Sequence, residues 1–409
     1  MNKNILNNEI TKFENCRIIR NGNIVKDDLW VRNGVIINPE PVFYEERVSA
    51  DVVVDCQESL IAPGFIDVQI NGGFGYDFSS DNHIIVEALN AVRKGILRSG
   101  VTSFCPTIVT SPKEVYYEVI PQIKRDQGGA SGAEILGIHL EGPFISPNKK
   151  GAHPVDFIKG LENGIETVLD TYGSLTDVAI LTLAPELPKA GEVIRKLVEH
   201  GHSNGNLLHG EKAVSNGASF ITHLFNAMLP FHHRDPGLVG LLTSQYIPQP
   251  IYYGIIADGI HTHPAALRIA HRTLSKGLVL VTDAMAALGL GDGLHQIGQL
   301  VVEVKGREAF LKGTDTLAGS IAPMNECIRR FMKAAEVGIV EGVEAASLHP
   351  ARLLGIADKK GSLNFGADAD FVLLNGSIPE EVEVLHTFIG GRCVYSDPSA
   401  KSIVCQFCC

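Results

Sequence analysis

Glu141, His202, His223 and Asp283 are far apart in the chain, yet their residue types suit a metal-assisted hydrolysis if the fold brings them together. Glu141 follows Ile138-His139-Leu140 and precedes Gly142-Pro143, which stops a strand and leaves the carboxylate facing what lies beyond it. An ionised carboxylate in that place needs a cation; the other reading is a structural carboxylate capping a nearby loop. His223 ends Phe220-Ile221-Thr222 and opens into Leu224-Phe225-Asn226-Ala227, where an imidazole either packs or ligates. His202, within Gly201-His202-Ser203, sits in a turn-like segment. One carboxylate and two imidazoles make the donor set of a catalytic zinc-type site, which keeps one position for water.

Asp283, in Leu280-Val281-Thr282-Asp283-Ala284, ends an apolar run. It reads either as the group that takes a proton from water and passes it to a leaving amine, or as a helix N-cap. His261, in Asp258-Gly259-Ile260-His261, can hydrogen-bond a substrate, whereas His263 before Pro264 reads as a loop residue. The segment Phe231-His232-His233-Arg234-Asp235-Pro236-Gly237 is a cationic loop. The fork of Arg234 suits phosphate or carboxylate, unless Asp235 pairs with it in a solvated turn.

Positioning these groups requires strands whose ends meet. Apolar runs recur at Ile61 to Ile70, Val101 to Val109, Ile135 to Leu140, Val178 to Leu183, Phe220 to Phe225, Ile251 to Ala257 and Leu278 to Val281. Helical patterns such as Ile84 to Arg98 and Glu192 to His200 lie between them, an α/β alternation that predicts a parallel sheet with crossover helices. Gln69, Asn71, Glu141, Glu186, His223, Asp258 and Asp283 stand at the run ends, and a (β/α)8 TIM-type barrel would gather them on one face. After Asp283 the chain reads as returning to loops. Before residue 60 short β segments dominate, at Cys16 to Ile19, Leu29 to Val31, Val35 to Ile37 and Val52 to Asp55, with hairpin turns at Asn21-Gly22 and Asn33-Gly34 and no helix required. From 358 onward β character returns, so residues 1–60 and 358–409 are expected to form one small β-sandwich domain beside a barrel of residues 61–357.

A chain of 409 residues that is 45% hydrophobic can bury a large core. A formal charge of -11 argues against nucleic acid as the partner, so an anionic substrate needs local cations. The start, MNKNILNNEI, has no signal-peptide pattern and no run is long enough to span a membrane, which points to the cytoplasm and no membrane partner. The eight cysteines do not form a disulfide framework, and the Cys408-Cys409 ending is not a prenylation box.

Taken together, these segments resemble the amidohydrolase superfamily and, within it, the N-acetylglucosamine-6-phosphate deacetylases. The likeness rests on Ala62-Pro63-Gly64-Phe65-Ile66-Asp67-Val68-Gln69-Ile70-Asn71-Gly72, His139-Leu140-Glu141-Gly142-Pro143-Phe144, Leu183-Ala184-Pro185-Glu186, Thr222-His223-Leu224-Phe225-Asn226-Ala227-Met228, Ala257-Asp258-Gly259, Val281-Thr282-Asp283-Ala284 and Gly319-Ser320. Many amidohydrolases carry a His-x-His pair where Gln69 and Asn71 stand, so the resemblance implies one divalent metal on Glu141, His202 and His223 rather than a binuclear centre. Zinc is the first expectation, with iron, cobalt or manganese also suited to these donors. The resemblance further implies Asp283 as general base and acid, and His261 as a contact to the sugar and the reacting carbonyl. It places the phosphate near Asn226, Ala227 and Arg234, and makes Ala152, His153, Leu317, Ala318 and Gly319 substrate neighbours. The implied reaction releases acetate from a phosphorylated amino sugar in a homodimer.

The sequence departs from the family pattern before His202, where Glu192 to His200 runs directly into Gly201-His202-Ser203 and the fifth barrel strand is expected to be shortened or missing. His209 is the alternative ligand, but the spacing of His202 from His223 matches the family. Two competing functions follow: a related amidohydrolase acting on another N-acyl compound or a cyclic amide, and a metal-free scaffold.

Overall fold

The computed structural model describes residues 9–80, 82–197, 202–203, 207–248, 250–297, 300–314, 317–400 and 404–407; the side chains of His202 and Ser203 lie outside the described set. An α/β barrel-type domain carries most of the chain. Its strands are β1 (Phe65–Ile70), β2 (Val101–Val109), β3 (Ile138–Glu141), β4 (Val178–Leu183), β5 (His202–Ser203), β6 (Phe220–Ile221), β7 (Tyr252–Ile256) and β8 (Leu278–Val281). Parallel ladders join β1 through β5 in chain order, and a second set joins β6, β7 and β8. β8 meets β1 through a parallel bridge between Ile70 and Ala284 and through the Asp283 amide, which donates to the Gln69 carbonyl at 2.9 Å. At the fifth position His202 pairs with Thr182 and Ser203 with Leu183, while residues 198–201 and 204–206 lie outside the described residues.

Helices follow the strands because their apolar residues recur at helical spacing. In Met324–Ala335 the buried side chains are Met324, Cys327, Ile328, Phe331, Met332, Ala334 and Ala335, a stripe that faces the strands. That helix stops at Glu336, whose left-handed φ of 61° turns the chain away. The pattern from Ile84 to Arg98 becomes the α-helix Ile85–Gly95 followed by a 3-10 turn, Ile96–Ser99. One core cluster takes Ile66, Cys105, Ile180, Phe220, Ile256 and Val279 from six different strands.

Two further sheets join the first and last described parts of the chain. Strands Arg17–Arg20, Leu60–Pro63 and Phe371–Leu374 share one sheet, and Ile10–Glu14, Leu29–Arg32 and Val52–Asp55 share the other. A second core cluster, including Phe13, Ile18, Leu29, Phe371 and Phe388, draws on both. The two predicted hairpin turns are present, with φ of 49° and 72° at Asn21-Gly22 and 54° and 78° at Asn33-Gly34. Lys360 is buried among Glu134, Asp368 and Asp370, at 2.7, 2.9 and 2.7 Å. It ties the segment before β3 to the loop that leads into Phe371–Leu374.

Several sequence expectations change. The run from Ile61 to Ile70 is two strands in different sheets, broken at Gly64, where a Cβ would lie 2.3 Å from the Thr102 hydroxyl oxygen. A helical segment does interrupt the early β region at Pro39–Pro41 and Val42–Glu46, because Asn38 caps it and Pro39 fixes its first turn. The stretch after Asp283 is not all loop: Gly293–Ile297, Leu300–Lys305 and Glu308–Leu311 form an antiparallel meander. Their alternation is short and partly polar, which hides it from a periodicity reading. Cys16, Cys56, Cys105, Cys327 and Cys393 are free thiols. No helix among the described residues is long and apolar enough to cross a membrane.

Candidate active site

Glu141 ends β3 and is 4% exposed. Its Oε1 lies 2.9 Å from His223 Nε2 and 3.8 Å from His153 Nε2, and its Oε2 accepts from Gln69 Nε2 at 3.1 Å. Two of these partners, Gln69 and His223, come from other strand ends, and the third, His153, from the loop that follows β3. Burial pushes this carboxyl up, but the imidazoles of His153 and His223 hold it well below the usual carboxylate range. Burial likewise pushes His223 down, and the hydrogen bond and charge of Glu141 outweigh it, raising the imidazole to about 9.

Asp283 follows β8, and Asn71, just past β1, donates its Nδ2 to Asp283 Oδ1 at 2.7 Å. No helix starts at Asp283; its φ is 44°, so the N-cap reading is replaced by a left-handed turn at a strand end. His223, Phe225 and Ala227 share this unusual backbone, with φ of 30°, 76° and 49°, a clustering of backbone strain typical of functional sites. Burial and the charge of Glu141 raise Asp283 above the ordinary aspartate value, which improves it as a proton acceptor near neutral pH. Beside it, Asp67 is 1% exposed and accepts from the Thr282 hydroxyl at 2.5 Å; burial outweighs these hydrogen bonds and lifts it to about 7.

Around this centre, His261 Nδ1 lies 2.5 Å from Asp258 Oδ2, and Asp258 Oδ1 accepts from the backbone amides of Ile260 and His261 at 2.9 and 2.8 Å. The hydrogen bond to Asp258 raises His261. His263 is the N-cap of helix Pro264–Leu274, its Nδ1 accepting from Ala265 N at 3.1 Å. His153 Nδ1 lies 2.7 Å from Thr110 Oγ1. Ala152 is exposed, and its neighbour Gly151 stands against Ala227, where a Cβ would come within 3.7 Å of the alanine methyl. Asn226 N donates to His223 O at 2.9 Å. Arg234 is exposed, and among the described residues its guanidinium forms no ion pair; Asp235 instead accepts from Gly237 N at 3.2 Å. Leu317 bridges Phe310, Ala318 N donates to Ala309 O at 2.7 Å, and Ser320 bridges Ala284 beside Asp283. His209 stands on helix Leu207–Ser215 and lines a separate cleft with Lys212 and Asn216.

The donor chemistry fits a divalent cation. Glu141 and His223 approach within 2.9 Å, and Gln69 Oε1, Asn71 Oδ1 and His223 Nδ1 are buried polar atoms with no hydrogen-bond partner among the described residues. His202 lies opposite Thr182, which in turn lies opposite Glu141, so the backbone of β5 runs beside the same strand end. Among the described residues no group of three His, Cys, Asp or Glu side chains is assembled for a metal; the His202 side chain is outside that set.

Sequence reasoning placed Asn71 at a strand end without its role as the partner of Asp283, and missed the supporting partners Asp67 and Thr110. Asn71 and Gln69 do alternate on one side of β1, the period that a strand end imposes, and Asp258 and His261 sit at turn spacing. Those were the available signals.

A parallel α/β barrel-type fold with carboxylates and imidazoles gathered at strand ends defines an amidohydrolase-type hydrolase. Residues 60–394 match the model of the amidohydrolase family. The N-acetylglucosamine-6-phosphate deacetylase of Bos taurus is 56% identical over 401 residues, covering 96% of this chain and 97% of that protein. The crystal structure of N-acetylglucosamine-6-phosphate deacetylase from Pasteurella multocida superposes with a TM-score of 0.78 at 29% identity, covering 95% of this chain and 100% of that one. A mutant of the Mycobacterium smegmatis deacetylase in complex with N-acetyl-D-glucosamine-6-phosphate superposes at 0.76 with 28% identity, covering 95% and 99%. The chain belongs to the amidohydrolase family and, within it, to the N-acetylglucosamine-6-phosphate deacetylases.

Proposed function

We propose that this enzyme hydrolyses the acetamide of N-acetyl-D-glucosamine 6-phosphate to D-glucosamine 6-phosphate and acetate, a step of amino-sugar breakdown. The observation that carries the reading is the buried Glu141–His223 pair with Asp283 in its electrostatic field. Glu141, His202 and His223 would hold one divalent ion, zinc first. When bound, such an ion supplies acidification of water and polarisation of the acetamide carbonyl. Asp283, oriented by Asn71, takes the proton of the attacking water and returns it to the departing nitrogen. His261, fixed by Asp258, contacts the sugar and the carbonyl oxygen. Arg234 and the backbone at Asn226 and Ala227 hold the phosphate, so that remote binding orients the amide. Ala152, His153, Leu317, Ala318 and Gly319 complete the substrate's surroundings.

We further propose that residues 61–357 close as a (β/α)8 barrel, with residues 1–60 and 358–409 forming a β-sandwich domain beside it, and that the protein acts as a cytoplasmic homodimer; the parallel ladders of β1 to β5 and of β6 to β8 support the barrel. The test is acetate release from N-acetylglucosamine 6-phosphate by the purified protein and by Asp283→Asn. The variant should lose roughly 100- to 10,000-fold in turnover, the usual size of a general acid–base contribution, while retaining its metal. Undiminished turnover would remove Asp283 from the mechanism, and a wild-type protein without metal or acetate release would favour a scaffold.

A further inference from the structure

His139 and Glu141 are two residues apart on β3 and therefore point to the same side of it. His139 is 0% exposed, and its Nδ1 lies 3.0 Å from the Val68 carbonyl oxygen. A carbonyl can only accept, so Nδ1 carries the proton and Nε2 is left as an acceptor. Nε2 lies 2.8 Å from Thr182 Oγ1, so the Thr182 hydroxyl donates to it. The same oxygen lies 2.8 Å from Thr222 Oγ1, and with its own proton committed it accepts from Thr222. One carbonyl thus fixes the direction of every hydrogen bond in the string.

The string crosses four strands, and its first and last steps skip a strand: Val68 is on β1, His139 on β3, Thr182 on the neighbouring β4, and Thr222 directly follows β6. It passes over β5, whose described ladder is two residues long and has no ladder to β6 among the described residues. Thr182 lies opposite both Glu141 and His202, and Thr222 immediately precedes His223, whose backbone turns left-handed at φ 30°. Valine would fill the threonine sites with nearly the same volume. Buried hydroxyls and an imidazole are costly unless fully bonded, and a fully bonded network rigidifies what it joins.

We infer that His139, Thr182 and Thr222 are positioning residues, which lock the end of β6 to β4 and so set the spacing of Glu141, His202 and His223 for a divalent cation. This rests on the metal reading given above. The test measures the affinity of the metal-free protein for zinc by competition with a chromophoric chelator, together with the melting temperature of the metal-free protein. Thr182→Val and Thr222→Val should weaken zinc binding about 10- to 100-fold, the range for groups that orient metal ligands, and Thr222→Val should do so with little change in metal-free melting. Thr182→Ser, which keeps the hydroxyl, should restore wild-type affinity. Thr222→Val removes only the last bond of the string and guards against a folding defect in Thr182→Val. Valine variants that bind zinc as tightly as the wild type, or a serine variant as weak as the valine, overturn the positioning role. A wild-type protein that binds no zinc overturns instead the metal reading on which it stands.

Discussion

Asn71 Nδ2 donates to Asp283 Oδ1 at 2.7 Å, joining the end of β1 to the end of β8 across 212 positions of sequence. Among the described residues Asp283 Oδ2 accepts no hydrogen bond, so the contact selects which oxygen meets a proton. Replacing Asn71 with Ala should lower kcat by up to about 100-fold with a smaller change in KM, because misplacing a reacting group costs turnover more than binding. Steady-state acetate release at varied substrate checks this; an unchanged kcat removes Asn71 from the site.

Arg234 has a guanidinium with no ion pair among the described residues, on a loop that continues from His223 and Ala227. Arg234→Ala should raise KM for the phosphorylated sugar by about tenfold, as expected for loss of a charge-assisted hydrogen bond at an exposed position. Turnover of unphosphorylated N-acetylglucosamine should be indifferent to the change. Equal effects on both sugars would place the phosphate elsewhere.

How far these residues were legible in the sequence depended on how locally they are determined. Glu141 before Gly142-Pro143 and Asp283 at the end of an apolar run are visible because a strand and its breaker are neighbours in sequence. The hairpins at Asn21 and Asn33 are visible because left-handed turn positions select Asn-Gly. By contrast, the pairing of Gln69 with Glu141 spans 72 positions and leaves no local mark. The left-handed backbone at His223 and Asp283 is equally silent, since tertiary contacts impose it against intrinsic preference. A two-residue strand such as His202–Ser203 has no period to read at all.

Asp67 gives a pH prediction. Its carboxyl rises to about 7 in the folded protein because of burial, so the folded state holds this proton more tightly than the unfolded chain does. The resulting stabilisation is complete below the unfolded value of about 3.9 and is lost as pH rises through about 7. Asp67→Asn removes this dependence. Urea midpoints taken between these limits should therefore fall with rising pH more steeply for the wild type than for the variant. Parallel curves would show that Asp67 is ionised throughout.

Lys360 offers a prediction about stability alone. With Glu134, Asp368 and Asp370 all within 3 Å of its ammonium group, Lys360→Met leaves three carboxylates without their cation. Loss of a buried partner of this kind should destabilise by roughly 3–5 kcal/mol, read as a lower urea midpoint at neutral pH. A shift under about 1 kcal/mol would mean that solvent satisfies the carboxylates as well as the lysine does.

The sheet that places Leu60–Pro63 between Arg17–Arg20 and Phe371–Leu374 has a consequence for biosynthesis. Leu60–Pro63 leaves the ribosome early, but the strand that must cover its open edge is made only after every strand from β1 to β8. Until then an apolar edge, Leu60-Ile61-Ala62-Pro63, has no partner on that side, the condition in which strands add to other chains. The nascent protein thus depends on its own late segment, or on a chaperone, to close that edge before another polypeptide does.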